Sequence, residues 1–299
     1  MEKIINVSDF DLAVTLECGQ AFRWRREADG WFVGVVGKEV WRLRQEGDVL
    51  KWSCSRETFS PPSQRSDNRE CDSRPQYYLS LDRSLPQIIA TFPDDEILCE
   101  AVQQHNGLRV LRQEPWECLC SFIASSTKQI VQVCQIVELL ARCFGEPVEE
   151  GFHAFPTVTA IARASNEQLR DCKLGFRAKN LLAAARMIDS GAVKLDALRA
   201  MKYERALEEL VRLPGVGDKI AGCVLLFSCG FDQAFPIDVW IERALHRIYF
   251  PRKRTVTHRQ LREFTRTHFG PCAGWAQQYL FFQERMRGRQ TLLDRRTQR

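Results

Sequence analysis

The chain has 299 residues, of which 44% are hydrophobic and 10% aromatic, enough apolar material for one large or two ordinary domains. No apolar run approaches bilayer length, and the N-terminus lacks the basic-then-apolar pattern of a secretory signal, so we expect an intracellular protein without a membrane span. The net charge of +5 is regional, because residues 242–299 carry 14 Lys+Arg against 4 Asp+Glu, while the remainder carries 29 against 34. A regional basic surface is typical of proteins that bind nucleic-acid phosphates, although a solubilising tail at Arg285–Arg299 is an alternative.

The chain contains 12 scattered cysteines. Several lie within apolar helical patterns, where a thiol packs as a small hydrophobic group, and disulfides are unexpected in a reducing compartment. No pair of C-x-x-C motifs suggests zinc, and no four-cysteine cluster near the C-terminus suggests iron and sulfur. We therefore predict neither a transition metal nor an iron-sulfur cluster.

The segment from Phe22 to Cys54 alternates polar and apolar residues, is rich in Trp, Val and Phe, and is interrupted at Asp29-Gly30 and Glu46-Gly47. A period of two broken by turn residues predicts an antiparallel meander. The stretch 55–75 is rich in Ser, Pro, Arg and Asp without periodicity, which predicts a long loop.

From about Leu79 onward the apolar residues recur with the period of an α-helix, as in Thr127–Gly145, where Gly145-Glu146-Pro147 provides the stop. The sequence therefore predicts an α+β, mainly α protein, with a small antiparallel β-domain at 1–105 followed by a helical body at 106–299. Further helices are predicted at 157–173, 176–190, 203–213, 219–229, 238–249, 258–269 and 274–288.

The most specific motif is LPGVGDKIA at 213–221, between two predicted helices. Two glycines separated by one apolar residue allow a tight turn and leave successive amides accessible at a helix start. Such amides can bind a phosphate whatever the base sequence, so Gly215, Val216 and Gly217 are candidate DNA-contacting residues. An ordinary connection between two helices would explain Leu-Pro-Gly alone but not the whole string.

Lys219 lies in the first turn of the second helix, where the helix dipole disfavours an ammonium group. A neutral amine can attack an anomeric carbon, so Lys219 is a candidate nucleophile, although a lone lysine is more often a solvated surface residue. Cys223 shares its helix face. Asp238, 19 residues after the lysine, precedes an apolar-periodic helix and can both cap it and stabilise positive charge on a sugar ring.

Several motifs, together with LPGVGDKIA and PIDVW, make the chain resemble the helix-hairpin-helix glycosylases, and among these the 8-oxoguanine DNA glycosylase/lyase family of the eukaryotic type. The motifs run in the family's order from residue 18 to residue 281. They are CGQAFRW at 18–24, LRQ at 111–113, SFIASS at 121–126, LGFRA at 174–178 and GPCAGWAQ at 270–277.

The resemblance implies a role for each matching residue. Lys219 would be the Schiff-base nucleophile and Asp238 the catalytic aspartate. The carbonyl of Gly19 would accept a hydrogen bond from the extra N7 proton of oxidised guanine, whereas normal guanine presents a bare N7 acceptor and would leave both groups unpaired. Cys223 and Phe281 would sandwich the flipped base.

Gln277 would then read the Watson–Crick edge of that base. Helical spacing places it with Phe281 on one side of the last predicted helix, opposite a stripe of apolar side chains. A second buried face of a helix packed on both sides is the alternative. The predicted stripe consists of Trp275, Tyr279, Phe282 and Met286.

Extruding a base leaves a gap in the DNA stack. Phe176 and Arg177 match the family's wedge aromatic and an arginine that contacts the orphaned partner base, although each alone would be predicted to be a surface residue. Three positions depart from the family pattern: Thr127 replaces a gap-filling asparagine, Gln132 an arginine facing the orphaned cytosine, and Trp240 a histidine near the phosphate. The departures concern selectivity for cytosine opposite the lesion and leave the chemistry in place.

The resemblance implies two helical lobes with the active site between them, and base excision from duplex DNA followed by Schiff-base formation and β-elimination. A glycosylase for another damaged base, such as an alkylated purine, and a non-catalytic DNA-binding module are the alternatives. We expect a monomer that acts where the DNA is, in the nucleoid or the nucleus, without a cofactor. In this family the hairpin often holds a monovalent cation through backbone carbonyls.

Overall fold

The computed structural model describes residues 2–55, 74–253 and 255–297, with side chains as far as Gly288 in the last helix. The predicted meander is confirmed, and it gains an edge strand near the N-terminus that is too short for periodicity to reveal. The strands β1 Lys3–Asn6, β2 Arg25–Arg26, β3 Phe32–Val36, β4 Glu39–Glu46 and β5 Val49–Cys54 form an antiparallel sheet in the order β1-β5-β4-β3-β2.

Both faces of this sheet are covered. One face carries a hydrophobic cluster that includes Trp41 and Trp52. The other face, around Val33, packs against Phe152 from a hairpin of β6 (Pro147–Glu149) and β7 (Phe152–His153). This hairpin belongs to the helical part of the chain, so it attaches the sheet to the helices.

The rest of the described chain is mainly helical, which confirms the predicted α+β, mainly α class. No helix in the described ranges is both long and apolar enough to cross a membrane. Of the predicted loop at 55–75, residues 56–73 lie outside the described part, and Arg74 begins a helix. The helices are α1 Leu12–Glu17, α2 Arg74–Tyr78, α3 Leu85–Ile89, α4 Glu96–Gln104, α5 Pro115–Ser125, α6 Ile130–Phe144, α7 Val158–Arg163, α8 Asn166–Leu169, α9 Arg177–Asp189, α10 Tyr203–Val211, α11 Asp218–Val224, α12 Val239–Tyr249, α13 His258–His268 and α14 Ala273–Thr297.

The single helix predicted at 157–173 is wrong. The chain is extended at Ala164 and Ser165, and Ser165 caps α8 through a reciprocal bond with Gln168. A short polar side chain that binds nearby amides favours a helix start over a helix interior, which explains the break. A π-type turn, Arg170–Leu174, follows, with Lys173 in the left-handed region at φ 64°.

The helices pack around two hydrophobic clusters. The first includes buried residues of α5, α6, α9 and α11, and the second includes those of α4, α12, α13 and α14. Lys219 is carried by a helix of the first cluster and Asp238 by a helix of the second. A domain boundary at residue 105 stays a prediction.

An ion pair joins the sheet region to α5. The Nη1 atom of Arg23 lies 3.6 Å from Oε2 of Glu117, and the two side chains are 5% and 20% exposed. Burial raises the pKa of Glu117 to about 7, although the charge of Arg23 acts in the opposite direction. Arg23 also donates a hydrogen bond to the carbonyl of His153, so one guanidinium contacts both α5 and the β7 strand.

We expect Glu117 to make stability depend on pH. Because its pKa is raised on folding, the folded state holds a proton that the unfolded chain releases between pH 4.5 and about 7. Stability therefore falls as pH rises through this window, by roughly 3 kcal/mol in total. Urea unfolding of Glu117→Gln should lack this slope, whereas Glu138→Gln, which removes an exposed carboxylate from α6, should retain it. An unchanged slope in Glu117→Gln would contradict the assignment.

Candidate active site

The predicted hairpin joins α10 to α11. Gly215 has φ +80°, and a Cβ there would lie 2.7 Å from the side chain of Asn180, so both the backbone and the packing require glycine. Val216 is buried, and its amide donates to the carbonyl of Leu213 at 3.1 Å. Gly217 precedes α11 with φ −103°, and a Cβ there would meet no atom within 4 Å. The fold itself therefore does not require glycine at 217, where the residue is exposed at the start of α11.

Lys219 is half-buried in the first turn of α11. Its Nζ atom lies over the face of Phe122, 5.1 Å from the ring centroid. Cys223, one turn further along α11, is 4% exposed. Burial raises the pKa of the Cys223 thiol to about 11, while the nearby charge of Lys219 acts to lower it and that of Asp238 acts to raise it. The three predicted groups are therefore close enough to affect one another's charge.

Asp238 caps α12, as predicted. Its Oδ1 atom accepts a hydrogen bond from the amide of Ile241 at 2.8 Å. Burial raises the pKa of Asp238, and the capping amides and the charge of Lys219 oppose this effect. The capping bond fixes the direction of the carboxylate, so Asp238 has one defined position relative to Lys219.

Gly19 and Phe281 are neighbours. Gly19 has φ +91°, and a Cβ there would lie 2.9 Å from Cδ1 of Ile130 and 3.4 Å from the ring of Phe281. Any side chain at position 19 would therefore enter the space beside the ring. Gln277, on the same helix as Phe281, is 4% exposed, and its Oε1 atom has no hydrogen-bond partner. A buried amide oxygen without a partner is unusual and can serve a ligand.

Neighbouring polar residues hold the Gly19 loop, and sequence reasoning missed them. Gln20 is fully buried and donates to the carbonyl of Arg109 at 2.7 Å, while it accepts from the amide of Leu111 at 2.8 Å. Gln278 donates to the carbonyl of Cys18 at 3.2 Å. Gln20 lies within a family motif and Gln278 directly follows one, but their partners are distant in sequence, so no local pattern could reveal these bonds.

The predicted stripe on α14 is only partly correct. Trp275, Tyr279 and Phe282 are buried, but Met286 is 41% exposed, so its assignment to the stripe is wrong. Gln277 and its neighbours are also buried, because the first half of α14 is packed on both sides. The stripe ends where the helix emerges from the second cluster.

Phe176 and Arg177 differ in exposure. The Phe176 ring is 61% exposed, whereas Arg177 is 4% exposed with its guanidinium 4.3 Å from the centroid of that ring. Arg177 donates to the carbonyl of Ser126 and, at 2.6 Å, to Oγ1 of Thr127. Phe176 therefore suits a wedge, while the surface alternative for Arg177 is wrong, because the side chain joins α9 to the turn before α6.

The positions that depart from the family pattern are engaged within the protein. Thr127 has φ +56°, an uncommon conformation for a β-branched residue. The Oε1 atom of Gln132 accepts from the amide of Gln129 at 3.1 Å and so helps to cap α6. Trp240 is 40% exposed and packs against Gly288, where a Cβ would lie 2.8 Å from its ring.

No group of three or more His, Cys, Asp or Glu side chains in the described ranges could hold a metal ion. The site itself offers an amine, a thiol, a carboxylate and an amide. Together these groups suit a nucleophilic attack on a sugar beside a bound base.

Comparison with known proteins decides the family. The model of the 8-oxoguanine DNA glycosylase N-terminal domain matches residues 3–119, and that of the HhH-GPD superfamily base excision DNA repair proteins matches residues 120–267. A probable N-glycosylase/DNA lyase from Methanothermobacter thermautotrophicus is 31% identical over 97% of either chain. The chain belongs to the 8-oxoguanine DNA glycosylase family.

Solved structures agree with this membership. MBOgg1 in complex with a low affinity DNA ligand has a TM-score of 0.86 and 34% identity over 96% of either chain. The 8-oxoguanine glycosylase/lyase of Clostridium acetobutylicum, in complex with double-stranded DNA containing cytosine opposite 8-oxoG, has a TM-score of 0.84 and 28% identity. That match covers 96% of this chain and 98% of the clostridial one. The glycosylase fold therefore extends over nearly the whole chain.

We expect Gln277→Leu to separate stability from activity. The replacement removes a buried oxygen without a partner, so thermal unfolding of the DNA-free protein should occur at the same or a higher temperature. Excision of 8-oxoguanine should fall by about 10- to 100-fold, because the bound base would lose a buried hydrogen-bonding partner.

Gln278→Leu is the matched control for this substitution. Its amide already donates to Cys18, so its loss should lower the unfolding temperature. If Gln277→Leu destabilises the protein as much as Gln278→Leu and leaves excision intact, Gln277 is a structural residue.

Proposed function

We propose that Lys219 is the nucleophile with which this chain excises 8-oxoguanine from duplex DNA, and that Asp238 stabilises the positive charge that develops on the sugar. The enzyme is a DNA N-glycosylase with lyase activity, as its relatives' names and family membership indicate. The observation that carries the residue assignment is the half-buried amine of Lys219 over the Phe122 ring, one turn before the buried Cys223 and near enough to the oriented carboxylate of Asp238 to act on its charge.

The reaction begins when the neutral amine of Lys219 attacks C1′ of the damaged nucleotide. The bond between C1′ and N9 breaks, and its electron pair leaves with the base, which takes up a proton. The attached nitrogen loses a proton, the C1′–O4′ bond opens as O4′ takes up a proton to become a hydroxyl, and a C1′=Nζ double bond forms, giving an iminium ion, the Schiff base. Loss of a proton from C2′ expels the 3′ phosphate, so the strand is cut by β-elimination.

Asp238 has two tasks in this sequence. A carboxylate beside C1′ stabilises the oxocarbenium-like charge that appears as the base departs. The capping bond to Ile241 keeps the carboxylate oriented, and the charge of Lys219 favours its ionised form against the effect of burial. The residue that caps α12 is therefore also suited to the chemistry.

Cys223 is suited to contact the base and is a poor nucleophile. Because burial raises the pKa of its thiol to about 11, the group is neutral near pH 7. A neutral thiol packs against an aromatic base without competing with the amine. Phe281 beside Gly19 would provide the other face, and the free Oε1 atom of Gln277 would accept from the Watson–Crick edge.

Duplex DNA is the partner of this enzyme, and the exposed Gly217 at the start of α11 suits a phosphate contact. The enzyme acts where DNA is kept, and we propose that it works there as a monomer. The reaction requires no cofactor, because an amine and a carboxylate supply the nucleophile and the charge stabilisation.

The nucleophile is tested by borohydride trapping. Borohydride reduces the iminium ion to a stable secondary amine, so the wild-type enzyme should become covalently linked to a duplex containing 8-oxoguanine. Lys219→Gln should give no adduct while still binding the duplex. Lys194→Gln removes an exposed lysine away from the site and should trap as the wild type does.

An undiminished adduct in Lys219→Gln would refute the assignment of the nucleophile. The rival hypothesis of a glycosylase for another damaged base is tested with duplexes that differ only in the lesion. Faster excision of an alkylated purine than of 8-oxoguanine would favour that rival. A protein that binds DNA and never forms an adduct would be the non-catalytic module.

We also propose that this enzyme discriminates weakly among the bases opposite the lesion. Arg177 is buried and bonded to Ser126 and Thr127, and Gln132 is bonded to the backbone of Gln129. No guanidinium stands at position 132 to pair with an orphaned cytosine. Excision rates opposite the four bases should therefore lie within about tenfold of one another, since one bidentate base contact is worth about 1–3 kcal/mol.

Gln132→Arg should raise the preference for cytosine by about tenfold, because a guanidinium can donate hydrogen bonds to the N3 and O2 acceptors on the pairing edge of that base. Gln135→Arg adds the same charge one turn further along α6 and should raise affinity for every duplex equally. Single-turnover excision with each opposing base measures both effects. A strong cytosine preference in the wild type, unaltered by Gln132→Arg, would contradict the proposal.

A further inference from the structure

Three buried aromatic rings form a row beneath the amine of Lys219. The rings of Phe22 and Phe122 meet edge to face with their centroids 5.5 Å apart. The rings of Phe122 and Phe227 are stacked at 5.6 Å with an angle of 18° between their planes. Packing on both sides leaves the Phe122 ring little freedom to turn, so its face has a fixed direction.

The outer two rings belong to segments that serve the site. Phe22 lies three residues after Gly19, in the loop beside Phe281. Phe227 lies in the π-type turn Leu225–Cys229 that continues α11, the helix of Lys219. The row therefore connects the loop that would recognise the lesion with the helix that carries the attacking lysine.

Gln113 makes the same connection through the backbone. Its amide donates to the carbonyl of Phe227 at 2.7 Å, and its side-chain Nε2 donates to the carbonyl of Gln20 at 2.8 Å. Gln113 thus ties together the two segments that flank Phe122.

The amine of Lys219 lies over the face of the middle ring, 5.1 Å from the centroid of Phe122. Within the described ranges its Nζ atom makes no hydrogen bond or salt bridge, so no such contact fixes its direction. In its protonated resting form, before it gives up a proton and attacks, the amine is attracted to the face of an aromatic ring, and this attraction is directional enough to orient a flexible lysine. Orienting a nucleophile raises the rate because the conformational entropy of the side chain has been lost before the reaction begins.

We propose that Phe122 is a positioning residue for the Lys219 amine, and that the Phe22–Phe122–Phe227 row couples the position of this amine to the Gly19 loop. The ring does not touch the reacting atoms. It determines where the amine waits before the damaged nucleotide enters. This inference rests on the proposed role of Lys219 as the nucleophile. Borohydride trapping of the wild type and of a Phe122 variant distinguishes failure of the positioning role from failure of the nucleophile assignment.

The test uses Phe122→Leu, which keeps an apolar side chain and removes the aromatic face. We expect its single-turnover excision and borohydride trapping to slow by about 5- to 30-fold, while the dissociation constant for the duplex stays within about twofold. Phe122→Tyr retains the face and should recover most of the rate. A residue that only supports the fold would not separate rate from binding in this way.

Phe32→Leu is the matched control, because Phe32 is an equally buried ring in the sheet, away from Lys219. It should lose a similar amount of stability and keep the wild-type rate at a temperature where all variants are folded. If Phe122→Leu does not fold, Phe227→Leu removes the stacked neighbour and should show a smaller loss of rate with unchanged binding.

The outcomes are distinct. A wild-type enzyme that traps normally and a Phe122→Leu variant that traps at the same rate would overturn the positioning role and leave Lys219 as the nucleophile. Equal losses in Phe122→Leu and Phe32→Leu would also overturn it, because they would indicate loss of stability alone. Absence of trapping in the wild type would instead refute the proposed function.

Discussion

The site depends on how closely the loop between α11 and α12 is held against the helices on either side. A Cβ at Gly222 of α11 would lie 3.5 Å from Pro236, and one at Gly274 of α14 would lie 2.5 Å from the carbonyl oxygen of Ala234. The amide of Gly274 also donates to the carbonyl of Asp232 at 2.7 Å. Asp238 follows this loop directly, so backbone packing places its carboxylate relative to Lys219, and no salt bridge between the two is needed.

Polar groups around this loop are hydrogen-bonded within the protein, whereas the amide oxygen that would face the base has no hydrogen-bond partner. The carboxylate of Asp232 accepts from Nε1 of Trp275 at 2.9 Å and from Arg83 at 2.8 Å. Gln20 likewise satisfies its amide within the protein, but the Oε1 atom of Gln277 does not. Unpaired buried groups lower stability by about 1–3 kcal/mol each, so a pocket can retain one only where the surrounding structure is stable enough.

Local chemistry predicted the parts of the site that depend on neighbours in sequence. The hairpin glycines, the lysine at the start of α11 and the capping aspartate each follow from a turn or a helix end, and the structure has them there. The bonds of Gln20 and Gln113 span about 90 residues, so no periodicity could reveal them. Met286 was placed on the wrong surface because helical spacing gives the direction of a side chain but not the length of helix that is covered.

The two sides of the site are built from different interactions. The chemical side rests on close backbone packing, and a larger residue at 274 would collide with the backbone of the loop before α12. The side that would face the opposite base rests on single side-chain bonds, such as that from Arg177 to Thr127. Thr127 has a left-handed backbone that asparagine adopts more readily, and its bond to Arg177 offsets part of that strain. Residues on this side can therefore change one at a time, which explains how the departures from the family pattern arise there and leave the lysine and the aspartate in place.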